Sequence, residues 1–203
     1  MNKILLWFSK SQIKTLNGEY VRTQDILLPN NRHQEIAIFS GDSTLYIGQC
    51  TALKTILIHE SVFGNAQEFD YVFTHEMAHK DQWWSLFIFP IALFCIFGAT
   101  ASLGITLATI IQTLIQRNYG NLSFIPIGLL VAISFIVIFG GFSWLMELDA
   151  DFKAIKKVGF NTYLNIKNKP TKQKHSRTQK IIIWVTHPPT NGTSWFWRKF
   201  HKL

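Results

Sequence analysis

The chain has 203 residues, of which 48% are hydrophobic and only 16% are charged, and its formal net charge at pH 7 is +8. A chain so rich in apolar and aromatic side chains can bury extensive surface, which excludes an intrinsically disordered protein. Two cysteines, Cys50 and Cys95, are too few for a disulfide framework, so both are predicted to be free thiols.

The N-terminal part predicts a small antiparallel sheet. Residues 1–34 lack a clear periodicity and are predicted to be irregular, with the apolar run at their start as a candidate interfacial helix. Runs rich in β-branched and aromatic residues then predict three strands, Glu35–Ser40, Thr44–Ile47 and Lys54–Ile58. The last of them is the expected exposed edge, to which an extended peptide substrate would add as a further strand.

A helix predicted from Gln67 to about Gln82 contains a metal-binding motif. The segment His75-Glu-Met-Ala-His79 matches H-E-x-x-H. Histidines four residues apart lie on one helix face, so both imidazoles can reach one metal ion. Glu76 is then predicted to be the general base of a metallopeptidase. The alternative is a pair of solvated histidines on an amphipathic helix.

Two long apolar runs follow this helix. Between Ser85 and Met146 the only charged residue is Arg117. Candidate membrane spans run from about Leu86 to Ile111 and from about Leu122 to Met146, and each exceeds the roughly 20 residues that cross a bilayer core. The segment Gln112–Asn121 between them predicts a tight turn, so the spans form a transmembrane hairpin. The alternative is a buried helix pair of a soluble protein.

The distribution of basic residues predicts the orientation in the membrane. Nineteen of the twenty Lys and Arg residues lie in the two segments that flank the hairpin, residues 1–84 and 147–203. Because a two-span hairpin returns the chain to the same face, both termini are predicted to be cytoplasmic. The N-terminal apolar run is too short for a secretory signal peptide. We therefore expect an integral membrane protein with two spans, in the inner or plasma membrane of a bacterium.

A second acidic motif follows the second run directly. In Glu147-Leu-Asp-Ala-Asp151 the outer two acids lie one turn apart on a helix that is predicted to continue to about Val158 and to stop at Gly159. Catalytic zinc takes three protein ligands, and Glu147 is the predicted third. Asp151 is predicted to hold the outer nitrogen of a ligand histidine. The alternative is a pair of ordinary helix-end acids.

The C-terminal part is strongly basic. Its positive charge is concentrated between Lys153 and Lys180. A basic segment next to a membrane span attracts anionic lipid head groups, which are therefore predicted partners. No nucleic-acid-binding motif accompanies the charge, so no nucleic acid is expected to bind.

The motifs in their order resemble one family. Phe73-Thr-His-Glu-Met-Ala-His79, the segment from Glu147 to Phe160, and Thr186-His-Pro-Pro189 are similar to motifs of the membrane-bound zinc metallopeptidases of the HtpX and CAAX prenyl protease type. The HtpX type also inserts two spans between its histidine motif and its ligand glutamate.

The resemblance implies an α+β membrane protein with a gluzincin active site. A zincin-like catalytic domain, formed by residues 1–84 and 147–203, would be interrupted by a transmembrane hairpin over residues 85–146. One zinc ion per chain would be held by His75, His79 and Glu147, with Glu76 as the base.

The chain departs from the family pattern at two points. It lacks the extra spans that HtpX-type members carry before the histidine motif. Those members also often have an arginine six residues after the histidine of the His-Pro element, where this chain has Thr193. His187 is therefore expected either to donate a hydrogen bond to the developing oxyanion or to pack a turn with Pro188 and Pro189.

The sequence thus predicts a membrane-anchored zinc metalloendopeptidase acting on a peptide or membrane-protein substrate at the cytoplasmic face. A zinc-activated water would attack the peptide carbonyl. Two alternatives are a BlaR-type signalling membrane metallopeptidase and a non-catalytic membrane adaptor with a structural zinc. A site-2-type intramembrane protease is disfavoured, because the histidine motif precedes the spans and no aspartate lies between Ser85 and Met146.

Overall fold

A computed structural model describes residues 1–41, 46–82, 88–116 and 124–168, together with His187 and Trp197. Over these residues the chain has an α+β architecture with one mixed four-stranded sheet and five α-helices. The elements are α1 Lys3–Thr15, β1 Glu19–Leu27, β2 His33–Ser40, β3 Gly48–Cys50, β4 Ile56–His59, a 3-10 turn Glu60–Gly64, α2 Ala66–Asp81, α3 Ile88–Gln116, α4 Phe124–Val158 and α5 Phe160–Lys167.

The chain divides into two compact units. The first, called here the sheet unit, takes in the described residues within 1–83, 146–184 and 188–203. The second, the apolar helix unit, takes in those within 84–145 and 185–187.

The N-terminal region is regular. A helix is present where the apolar run at its start predicted a candidate one, but the prediction that residues 1–34 are otherwise irregular was wrong. Asn2 caps α1, because its side chain accepts hydrogen bonds from the backbone N–H of Ile4 at 2.7 Å and of Leu5 at 3.3 Å. The helix then packs its buried residues on the sheet, and β1 pairs antiparallel with β2. Both elements depend on partners later in the chain, which the local pattern of residues does not reveal.

The sheet is mixed rather than antiparallel, with the strand order β1-β2-β4-β3. After β2 the chain crosses to the far edge to form β3, then reverses into β4, which runs parallel to β2. The predicted strand Glu35–Ser40 corresponds to β2, and Lys54–Ile58 corresponds to β4. A further strand was predicted at Thr44–Ile47. Residues 44 and 45 lie outside the described part, and residues 46 and 47 are not in a strand. The next strand in the chain is Gly48–Cys50. Because β4 is bonded on both sides, the expectation that Lys54–Ile58 forms an exposed edge was also wrong; the edges are β1 and β3.

Alternate residues of β2 and β4 enter two apolar cores on opposite faces of the sheet. Ile36 and Ile38 of β2 face α2, the end of α4 and α5, whereas Ala37 and Phe39 face Ile13 of α1. Both central strands are therefore buried on both faces, and α2 packs against one face of the sheet.

Helix α3 and the part of α4 before Met146 lie in the apolar helix unit. Both helices are long and apolar enough to cross a membrane. Small residues let the two helices pack closely, as Ser102 Oγ donates to the backbone oxygen of Gly128 at 2.7 Å. A Cβ at Gly98 would lie only 2.5 Å from the Phe135 ring. The prediction of a turn at Gln112–Asn121 was wrong for residues 112–116, because α3 continues to Gln116. Residues 117–121 lie outside the described residues.

The second apolar helix extends well past Met146, as the sequence predicts, and ends at Val158. Gly159 follows with φ +84°, a conformation that favours glycine, and α5 starts immediately after it. Residues 169–180 of the predicted basic segment Lys153–Lys180 lie outside the described residues.

Candidate metal centre

Helix α2 carries the H-E-x-x-H motif, and its sequence explains where it forms. The Asn65 side chain accepts hydrogen bonds from the backbone N–H of Gln67 at 3.0 Å and of Glu68 at 3.3 Å, which caps the helix. Tyr71, Val72 and Phe73 are buried in the core next to the sheet. This packing fixes the rotation of α2, and His75 and Glu76 are both buried as a result.

Three side chains from α2 and α4 converge in the sheet unit. His75 Nε2 lies 3.1 Å from His79 Nε2 and 3.4 Å from Glu147 Oε2. His79 Nε2 lies 3.3 Å from Glu147 Oε1. We call His75, His79 and Glu147 the metal-binding group, because each offers one ligand atom and these atoms lie within 4.8 Å of one another.

The dimensions of this group fit a metal ion. Ligand atoms arranged tetrahedrally at about 2.1 Å from a zinc ion lie about 3.4 Å from one another. The three contacts of 3.1, 3.4 and 3.3 Å are close to that spacing. Two imidazole nitrogens facing a carboxylate in a largely buried position are unfavourable unless a proton or a cation lies among them. The group can therefore hold a metal ion, although its geometry does not define which one.

Asp151 contacts the metal-binding group through the outer nitrogen of His75. Its carboxylate is 1% exposed and accepts hydrogen bonds from the hydroxyls of Tyr71 at 2.8 Å and Tyr163 at 3.2 Å. His75 Nδ1 lies 3.0 Å from Asp151 Oδ1, an ion-pairing contact rather than a well-directed hydrogen bond. The Lys167 ammonium, on α5, adds a contact at 3.6 Å.

These contacts shift the protonation of both partners. Burial lowers the pKa of His75, but the carboxylates of Asp151 and Glu147 outweigh it and raise that pKa to about 10. Burial raises the pKa of Asp151, but Lys167 and the hydrogen-bonding groups around it lower the pKa below its ordinary value. The two carboxylates around His75 therefore favour positive charge at this position.

Gln82 orients the second histidine. Its side chain is almost fully buried, and its amide nitrogen donates to the backbone oxygen of Met146 at 2.9 Å and to Asp149 Oδ2 at 2.8 Å. Because both of those partners are acceptors, the amide oxygen must point the other way, where it lies 3.0 Å from His79 Nδ1. Nδ1 then carries the proton, and Nε2 keeps a lone pair for a metal.

Lys54 caps the C-terminus of α2. Its ammonium donates to the backbone oxygens of His79 at 2.9 Å and of Gln82 at 3.2 Å. A cation at a helix C-terminus satisfies orphan carbonyls and complements the helix dipole. Lys54 itself has a positive φ of 60°, in the loop before β4.

Strand β3 passes directly beside Glu76. The backbone N–H of Cys50 donates to the Glu76 carboxylate, and a Cβ on Gly48 would lie 3.0 Å from Glu76 Oε1. Burial raises the pKa of Glu76 above its ordinary value, opposed by the nearby His75 and His79. Burial likewise raises the pKa of the Cys50 thiol to about 12, so this thiol is not poised to react.

Of the His-Pro element, the structure describes only His187. Thr186, Pro188, Pro189 and Thr193 lie outside the described residues. A catalytic role for His187 therefore stays a prediction.

Comparisons with known proteins give no relative. No protein-family model matches the chain, no curated protein matches it, and no solved structure matches it. These comparisons assign the chain to no family. The resemblance to HtpX-type metallopeptidases rests on the motifs alone.

Sequence reasoning missed several residues that complete the site. Two carried a usable signal, because Tyr71 and Gln82 stand four residues before His75 and three after His79, positions that share a helix face with them. Tyr163 and Lys167 carried none, since only the reversal of the chain at Gly159 brings α5 back to Asp151.

Proposed function

We propose that the chain is a membrane-anchored zinc metalloendopeptidase with a zincin-like catalytic part. The observation that carries the proposal is the convergence of His75, His79 and Glu147 beside a buried Glu76. A structural metal site needs no buried carboxylate adjacent to its ligands, whereas hydrolysis needs a general base there. The spacing of the three ligand atoms supports zinc among the possible cations.

The surrounding residues divide the work of the site. Asp151 and Gln82 hold the outer nitrogens of the two histidines, so the inner nitrogens are aimed at the metal. A bound zinc ion would supply a water activated near neutral pH and a Lewis acid for the peptide carbonyl. Glu76 would take the proton of that water and return it to the leaving amine. Its raised pKa suits a group that must carry a proton for part of each cycle.

The substrate would bind along β3 rather than along β4. Among the strands that the structure describes, β1 and β3 are at the edges, and β3 is the one that borders Glu76. An extended peptide that pairs with a sheet edge exposes successive carbonyls at a fixed spacing. A peptide bound there would pass Glu76, which is the placement that hydrolysis requires.

Membrane anchorage is the second part of the proposal. In α3 and α4 most of the residues in the apolar stretch are exposed, which is unlike the buried core helix of a soluble protein. We propose that both helices cross the membrane with the two termini in the cytoplasm, following the excess of Lys and Arg outside the spans. A bacterial inner or plasma membrane is the proposed location.

The decisive experiment separates metal binding from catalysis. Purified wild-type chain in detergent should contain about one zinc ion, and Glu147→Ala should lose most of it. Glu76→Gln should retain zinc but cleave an unstructured protein such as casein at least about a hundredfold more slowly, as expected for removal of a general base. Metal content would be measured by mass spectrometry and cleavage by peptide release.

The outcomes distinguish the alternatives. Zinc in the wild type with equal cleavage by Glu76→Gln would contradict the proposed mechanism. Zinc without any cleavage by the wild type would favour the adaptor with a structural zinc. A well-folded wild type without zinc would contradict the proposal as a whole.

A further inference from the structure

The sheet unit has one end at which the chain departs for the apolar helices and returns from them. Gln82 is the last described residue before α3, and Met146 is the first residue of this unit in α4. A hydrogen bond of 2.9 Å between them places both at one end of the unit, called here the span-proximal end. Lys54, one residue before Thr55 and β4, bonds to Gln82 there, so the start of β4 also lies at this end.

The start of α1 lies at the same end. Ser9 Oγ is 3.4 Å from Thr55 Oγ1, and the amino group of Met1 forms an ion pair with Glu35 near the start of β2. The other end of α1 reaches the opposite end of the sheet, where Gly18 packs on Phe39. Helix α1 thus presents its N-terminal half, and not its full length, at the span-proximal end.

The most exposed large apolar side chains of the sheet unit are at this end. Ile4 is 70% and Trp7 69% exposed on the face of α1 that points away from the sheet. Leu27, which pairs with His33 at the start of β2, is 62% exposed. Leu53 is 47% exposed in the loop before β4. The remaining exposed ones in the unit's described residues are all exposed to a lower degree, namely Val21, Ile47 and Phe152.

The exposed charges of α1 and of the turn before β2 are basic. Lys3 and Arg32 are exposed beside the apolar side chains, and α1 contains no acidic residue. Of the acids at this end, Asp25 contacts His33 Nδ1 at 2.6 Å and Glu35 contacts the terminal amino group, whereas Asp81, next to Gln82, is exposed. A mixture of tryptophan, aliphatic and basic side chains is typical of surfaces that enter the head-group layer of an anionic membrane.

We propose that Ile4, Trp7, Leu27 and Leu53 insert into the head-group layer of the anionic membrane that the same chain spans. This docking would hold the span-proximal end against the lipid surface. Gln82 lies at that end and contacts His79 of the metal-binding group. The docking would therefore set the distance of this group from the bilayer. The proposal rests on α3 and α4 crossing the membrane and is independent of which metal the group holds.

The test uses the full chain in liposomes with single spin labels. Labels would be attached at Ile4→Cys and Leu53→Cys, with Val21→Cys as the matched control from the opposite end, all in a Cys50→Ala, Cys95→Ala background. Power-saturation EPR compares collisions with oxygen, which partitions into lipid, and with a water-soluble nickel chelate. We expect oxygen to dominate at positions 4 and 53 and the nickel chelate to dominate at position 21.

The lipid charge gives a second measurement. In vesicles with 30% phosphatidylglycerol, Lys3→Gln should lower the ratio of docked to undocked Leu53 label about fivefold, as expected for one basic residue at an anionic surface. Lys14→Gln, at the opposite end of the same helix, should change it little. Equal effects of both substitutions would overturn the assignment of the basic contact to this end.

Three other results would overturn the proposal. Labels at positions 4 and 53 that are as open to the nickel chelate as the label at 21 would mean that this end stays in water. Labels shielded from both reagents would mean that a protein partner or a second copy of the chain covers it. A water-exposed label at Phe97→Cys would show that α3 does not cross the membrane, which the proposal requires. Zinc content tests the metal-binding group separately, so none of these results bears on it.

Discussion

At the scale of single residues, Gln82 connects the two parts of the chain that form the metal-binding group. Its amide nitrogen bonds to Met146 and Asp149 on α4, and its amide oxygen faces His79 on α2. One side chain therefore fixes both the proton position on a ligand histidine and the distance of that histidine from Glu147.

This geometry predicts the effect of Gln82→Leu. The substitution keeps the volume similar but removes the partner of His79 Nδ1, so zinc affinity should fall about 10- to 100-fold. Affinity would be measured by competition with a fluorescent chelator. Gln67→Leu, at an exposed position of the same helix, is the control and should leave the affinity unchanged. Equal affinities of the two variants would show that Gln82 does not orient the histidine.

Tyr71 supports the site through a buried hydrogen bond. Its hydroxyl donates to Asp151 at 2.8 Å, and hydrogen bonds to charged groups contribute about 1.5–3 kcal/mol. We expect Tyr71→Phe to lower the free energy of unfolding by that amount. The control is Tyr20→Phe, which removes a partly buried hydrogen bond to Thr23 and should cost less than about 1 kcal/mol. Denaturation of the purified chain in detergent measures both, and equal losses would contradict the role of Tyr71.

At the scale of elements, the packing of β3 on α2 decides what surrounds Glu76. The approach is so close that only a glycine fits, since a Cβ at Gly48 would lie 2.5 Å from Val72 Cγ1. Gly48 is needed here for its size, whereas Gly159, with φ +84°, is needed for its backbone conformation.

Gly48→Ala is therefore expected to force β3 and α2 apart. Overpacking of this kind costs about 1–3 kcal/mol, and peptide cleavage should fall because Cys50 would no longer hold the Glu76 carboxylate. Gly64→Ala is the matched control, because a Cβ there would meet nothing within 4 Å. Thermal unfolding and peptide release would be compared for both variants. A fully stable and active Gly48→Ala would contradict the contact between β3 and α2.

At the scale of the whole molecule, the metal-binding group joins segments that lie on either side of the apolar helices in the sequence. A cation held by His75, His79 and Glu147 would tie α2 to α4 in the folded state only. Its binding free energy then adds to the stability of the sheet unit.

Removal of the metal should accordingly destabilise the chain. At a free zinc concentration about 100 times the dissociation constant, the expected gain in stability is about 2.7 kcal/mol. The melting temperature of the wild type should fall when a chelator is added. That of Glu147→Ala should respond much less, because one ligand is missing. Equal responses would mean that the metal binds elsewhere.

The sequence by itself determined the elements whose evidence is local. A spacing of four residues places His75 and His79 on one face of any helix, so their proximity needed no knowledge of the fold. The long uncharged runs likewise predicted α3 and α4, because a helix of that length and polarity is recognised from composition. Helix α2 and the end of α4 at Gly159 followed from periodicity and from a stop residue.

Only the tertiary structure decided the features that depend on distant partners. Strand β1 is stabilised by pairing with β2, and the position of β4 depends on how the chain crosses to β3, so local patterns predicted neither correctly. The surroundings of Glu76 and Asp151 depend on β3 and α5 in the same way. The physical reason is that burial and hydrogen bonding are set by contacts between residues far apart in the chain, whereas helical spacing and hydropathy are properties of neighbours.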